Sequence, residues 1–156
     1  MRRGVAFAAV VLAMSAPAAL ASQGPSPVGG QTAALIEVYV STAIPSVGRL
    51  IPFDQRAREE SVEQLRRELK NRLPDKIAVL ATKPADAVVT VDVLKRTATG
   101  NDYVLHLRVS VGEETWSLAG SNDDAHWSDT AVDAAEQIAE WVTLNKDLLA
   151  ARRGGP

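Results

Sequence analysis

The sequence predicts an α+β two-layer sandwich with the order β-α-β-β-β-β-α, a mixed sheet carrying two helices on one face. Three observations predict it. A segment of period-two hydrophobicity opens the ordered region. Two apolar stripes at helical spacing lie near the middle and the end of the chain. Between them, three strand-like runs share one register across two turns.

The first element is Leu35-Ile36-Glu37-Val38-Tyr39-Val40. Ile36, Val38 and Val40 fall on one face and Leu35, Glu37 and Tyr39 on the other, which is a strand. Pro45, Gly48 and Pro52 then break any regular pattern. A helix follows from about Gln55 to Leu73, because Val62, Leu65, Leu69 and Leu73 recur at three- and four-residue steps. Glu63–Arg67 and Glu68–Arg72 are i,i+4 pairs with the acid first, and Pro74 stops the helix. The short apolar run Ile77 to Ala81 reads as a buried strand, parallel to the first through a right-handed crossover.

Val88 to Arg96 and Tyr103 to Val111 form a hairpin whose link, Thr97 to Asp102, contains Gly100-Asn101. A turn centred on Gly100 sets Val89, Val91 and Val93 against Val111, Val109 and Leu107. Thr90, Asp92 and Leu94 then face Ser110, Arg108 and His106 on the other side, and Asp92–Arg108 is a cross-strand ion pair. Gly112-Glu113 is a two-residue turn with glycine first, which brings a third strand, Glu114 to Ala119, with Trp116 opposite Val109 and Leu118 opposite Leu107. A last helix starts near Ser128-Asp129-Thr130, with Ala131, Ala134, Ala135, Ile138, Trp141, Val142, Leu148 and Leu149 as its apolar side. Thr143 to Asp147 weaken that stripe, so a break there fits.

The chain ends carry different information. Arg2 and Arg3, the apolar run Val5 to Met14 and Ala19-Leu20-Ala21 read as a secretory signal peptide with cleavage after Ala21. The expected location is therefore periplasmic or extracellular. Residues 22–33 read as a flexible leader, 34–151 as a single globular domain and 152–156 as a disordered tail. The chain has no Cys, which excludes disulfides, thiolate metal sites and lipid attachment. No segment is apolar enough to span a bilayer. The net charge is −2, and more acidic once Arg2 and Arg3 are removed, so nucleic acid is not expected as a partner.

The helix end Leu65-Arg66-Arg67-Glu68-Leu69, the short strand Ile77 to Leu80, the stretch Pro84-Ala85-Asp86-Ala87-Val88-Val89 opening a long hairpin, and the C-terminal amphipathic helix together resemble a known group. They are similar to small bacterial cell-envelope domains of the TolB amino-terminal and CsgG-like (curli-assembly lipoprotein) type. The resemblance implies action through protein–protein contacts in the envelope.

The chemistry legible in the sequence is sparse. Asp123, Asp124 and His126, in the polar stretch before the last helix, are the candidates for a metal site, though their spacing matches no EF-hand or H-E-x-x-H pattern. They support, as an alternative function, a small metal-dependent hydrolase. His106 and His126 are the only histidines, no G-x-S-x-G frame exists, and no Gly-rich loop opens a helix, so no cofactor is expected. Trp127, Tyr39 and Arg108 are the candidate contact residues, Trp127 because it stands in a polar stretch and the other two because they face outward on the sheet. The expected function is an exported, non-enzymatic module that binds an envelope protein.

Overall fold

The strand-forming runs of the sequence come together in one mixed sheet. The computed structural model describes residues 34–42 and 52–153. The segments expected to be a signal peptide and leader, the breaker-rich stretch 43–51 and the last three residues lie outside the described residues. The elements are β1 (Ile36–Thr42), α1 (Pro52–Arg72), β2 (Ala78–Leu80), a 3-10 turn at Pro84–Asp86, β3 (Val89–Thr99), β4 (Asp102–Val111), β5 (Glu114–Asn122), α2 (Trp127–Leu144) and α3 (Lys146–Arg153). The five strands lie in the order β2-β1-β3-β4-β5. β1 pairs parallel with β2 and with β3, and β3-β4-β5 is an antiparallel meander. The predicted α+β architecture is thus the observed one, with the second helix divided into α2 and α3.

One sheet face is apolar and buried under the helices. Val38, Val40, Val89, Val91, Val93, Leu107 and Val109 are almost fully excluded from water, together with Leu65, Leu69, Ile138 and Leu149 from the helices. Burying each such side chain is worth about 1.5–3 kcal/mol relative to leaving it exposed. The predicted stripe Val62, Leu65, Leu69, Leu73 on α1 is the one that packs. Trp141 packs on Trp116, with ring centroids 5.1 Å apart. Among the described residues no helix is long and apolar enough to cross a membrane.

The hairpin differs from its prediction in one instructive respect. Thr90 to Val93 pair with Ser110 to Leu107 as the sequence implies. The link at 97–102, however, is no loop. Thr99 faces Asp102 across the two-residue turn Gly100-Asn101, and Gly100 supplies the positive φ of 61°. That turn and the pairing of Asp92 with Arg108 differ by one residue in register. The sheet absorbs the difference as a bulge at Leu94, so Lys95 rather than Leu94 faces His106. The second turn needs no such repair. Gly112 has φ 59°, and Trp116 and Leu118 meet Val109 and Leu107 as predicted.

Helix ends also shift. Arg66, not Arg67, meets Glu63, at 3.4 Å, whereas the Glu68–Arg72 pair forms as predicted. α2 starts at Trp127 with His126 as its N-cap, ahead of the predicted Ser128 to Thr130. Arg152 and Arg153, assigned by sequence to the tail, are helical; Arg152 pairs with Glu114, and Arg153 with Glu37 at 2.6 Å.

Candidate binding groove

The Leu94 bulge decides which way Arg96 points. In unbroken alternation from Val93, residue 96 falls on the outward face. The extra residue reverses that, and Arg96 sits opposite the buried Leu105, on the helix side of the sheet. Its side chain is only 12% exposed. Nε donates to Ser61 Oγ at 2.6 Å, and one terminal nitrogen donates to Glu60 at 3.2 Å. The guanidinium carbon lies 4.8 Å from the centroid of the Trp127 ring, a cation–π distance. The other terminal nitrogen, NH2, is buried with no acceptor. A guanidinium nitrogen in that state forfeits its hydration without a replacement bond, a cost of about 1–3 kcal/mol or more.

The connection before Trp127 sets where its ring lies. Asn122 Oδ1 accepts the backbone N–H of Asp124 at 2.7 Å, and Ala125 N donates to the Asn101 carbonyl at 3.1 Å. These bonds pin the β5–α2 connection to the β3–β4 turn and hold Ala125 at φ 57°, a conformation that costs a non-glycine residue about 1–2 kcal/mol. The outcome is that α2 begins with Trp127 set against Tyr103, ring centroids 4.4 Å apart. Close packing of β5 on α2 fixes the helix itself. A Cβ at Gly120 would lie 2.1 Å from the Thr130 carbonyl oxygen, so only glycine lets the two backbones approach. Asp133 accepts the Ser121 N–H at 2.8 Å and Gln137 donates to the Ala119 carbonyl at 2.9 Å.

These parts enclose a groove of about 600 Å³ lined by Ala57 and Arg58 of α1, Lys95, Arg96 and Ala98 of β3, Tyr103 of β4 and Trp127 of α2. Three cations and two aromatic rings meet there. Within the described residues neither Arg58 nor Lys95 takes part in an ion pair. A low-dielectric wall beside clustered cations attracts an anion, and the rings offer flat apolar surface.

Of the residues singled out by sequence, only Trp127 belongs to this groove. Tyr39 lies under the guanidinium of Arg66, 5.4 Å from ring centroid to carbon, where Arg66 also donates to the Val40 carbonyl at 2.8 Å. Arg108 is spent on Asp92, donating from Nε at 3.2 Å and NH2 at 2.8 Å. Asp123, Asp124 and His126 are exposed, and among the described residues no three His, Cys, Asp or Glu side chains come together. Arg96, Arg58 and Lys95 escape the sequence reading. The available signal was the conflict between a two-residue turn at Gly100-Asn101 and the Asp92–Arg108 register, which requires a bulge and therefore turns Arg96 inward.

No family model matches the chain, and no curated protein matches it. The solved structures similar to it include two with low sequence identity. One is a ribosomal subunit interface protein from Coxiella burnetii, with TM-score 0.38 and 10% identity, covering 73% of this chain and 99% of that one. The other is the N-terminal domain of Protein Y from Thermus thermophilus, with TM-score 0.37 and 11% identity, covering 70% of this chain and 96% of that one. These findings correct the expected resemblance to TolB amino-terminal and CsgG-like domains, since neither structure is described as an envelope protein. They correct likewise the expected binding of an envelope protein partner, its hydrolase alternative, and the exclusion of nucleic acid. That exclusion was drawn from net charge alone. A formal charge of −2 describes the whole chain, whereas Arg58, Lys95 and Arg96 gather at one place.

Proposed function

We propose that the chain binds single-stranded RNA, and that the groove between α1, β3, β4 and α2 holds one nucleotide unit of it. The observation that carries this reading is the meeting of three cationic side chains, Arg58, Lys95 and Arg96, with the rings of Tyr103 and Trp127 around one groove. A phosphate there is met by Arg58 and Lys95, and the Arg96 guanidinium in the wall adds to the positive potential. Tyr103 and Trp127, both partly exposed, give a base apolar ring surface to lie against. A volume of about 600 Å³ suits a nucleotide and falls within the range of small-ligand sites. No group in the groove is arranged as a nucleophile with a base beside it, so the function supported is binding.

The test is tryptophan fluorescence during titration with oligouridylate, with free inorganic phosphate and free uridine as controls. The oligonucleotide is expected to quench the emission, and Trp127→Phe to abolish most of that change. Quenching that persists in Trp127→Phe, or equal effects from phosphate alone, refutes the groove as an RNA site. Ribosomal subunits serve as a second, larger probe.

A further inference from the structure

The two long edges of the sheet are treated differently. β2 covers only Ile36 to Val38 of β1, and Arg66 reaches round to the Val40 carbonyl beyond it. On the other side β5 is the edge. Val111 faces Glu114 across a two-residue turn, so the even-numbered residues of β5 exchange hydrogen bonds with β4 and the odd-numbered ones point their N–H and C=O outward. Gln137 takes the outward carbonyl of Ala119 and Asp133 the outward N–H of Ser121, in agreement with that assignment. Among the described residues nothing pairs with the outward groups of Thr115 and Ser117.

We infer that this open stretch, Glu114 to Leu118, pairs with the same stretch of a second copy of the chain about a two-fold axis at Trp116. The reasons are stereochemical. Only this register sets Thr115 against Ser117 of the partner and Ser117 against Thr115 of the partner, so that all four open residues form complete hydrogen-bonded pairs. A shift by one pairing step either way places one of them against the Gly112-Glu113 turn or against the carbonyl already held by Gln137. The side chains suit the pairing. Thr115 and Ser117, both exposed, meet as hydroxyl pairs on the outer face. Trp116, half-buried on the inner face, meets its own copy. Glu114, held by Arg152, falls opposite Leu118 of the partner, so no like charges oppose. Leu144, 76% exposed, lies on the same side of α2 as Gln137 and Trp141, which both reach β5, and adds apolar surface at that edge. The caps on Ala119 and Ser121 confine pairing to five residues, which suits a closed pair and blocks open-ended growth.

This inference does not depend on the RNA reading. Sedimentation of the purified full chain over a range of concentrations tests it. A monomer–dimer equilibrium is expected, reaching twice the monomer mass at high concentration. Ser117→Pro removes an outward N–H and no bond to β4, so it is expected to sediment as a monomer with an unchanged circular dichroism spectrum. The double variant Thr115→Lys, Ser117→Lys sets lysine against lysine at both pairs and is expected to be monomeric as well, which decides the matter should the proline variant fail to fold. A wild-type chain that stays monomeric at millimolar concentration overturns the inference. So does a dimer that survives the lysine variant.

Discussion

Gly120→Ala is expected to destabilise the protein severely, and the size follows from the distances. The new methyl carbon would lie 2.1 Å from the Thr130 carbonyl oxygen, 2.6 Å from Ala134 Cβ and 2.8 Å from Ala134 N. Normal carbon contacts begin near ~3.5 Å, so α2 must retreat by about 1 Å or more along its first two turns. Those turns carry Thr130, Ala131, Ala134 and Ala135, all buried, and lead into Ile138 and Val142. Forcing one methylene into a filled core costs about 1–3 kcal/mol, and backbone against backbone cannot relax as a side chain does. A loss of roughly 3 kcal/mol is expected, equivalent to a fall in melting temperature of about 10 °C for a domain of this size. Urea unfolding followed by circular dichroism measures it. The same retreat displaces Trp127, so the Tyr103–Trp127 contact and the groove are expected to loosen together. A change within about 0.5 kcal/mol of wild type refutes the claim that β5 and α2 are held at closest approach.

Three further outcomes are expected. Ala125→Gly relieves the left-handed backbone at φ 57° and is expected to raise stability by about 1 kcal/mol, read as a higher urea midpoint; a lowered midpoint contradicts the strain. Asp92→Ala removes the acceptor for Ser41 at 2.8 Å and for both Arg108 bonds, and because Arg108 is 45% exposed the expected loss is only about 1–2 kcal/mol by the same assay. From residues 1–21 alone we propose export with cleavage after Ala21; the intact mass of protein recovered from expressing bacteria is expected to begin at Ser22, and a chain beginning at Met1 contradicts it.

Much of the fold was legible because it rests on periodicity. The Val/Leu face of β3, β4 and β5, the α1 stripe and both glycine-led turns are local patterns, and each local choice agrees with the sheet it builds. The Asp92–Arg108 pair was legible for the same reason, since register fixes it. Arg96 was not, because its direction depends on one extra residue at Leu94, visible only when the Gly100-Asn101 turn is reconciled with the Asp92–Arg108 register. The start of α2 was misplaced because Ser128, Asp129 and Thr130 are all good caps, whereas the N-cap, His126, makes no side-chain capping bond. Tertiary ties from Asn122 and Asn101 set that boundary instead.

The central claim is that Arg58, Lys95 and Arg96 meet the phosphates of a single strand, and its most direct measurement is the salt dependence of RNA affinity for wild type and for the Arg58→Gln, Lys95→Gln double variant. Each phosphate contact contributes a slope of about 0.7 in log K against log salt for single strands. The variant keeps Arg96 with its Ser61 and Glu60 bonds, so its fold is expected to be unchanged. Weaker binding with a slope reduced by about 1.4 is the predicted result. Equal slopes for the two proteins, or no binding by wild type at low salt, contradict the account.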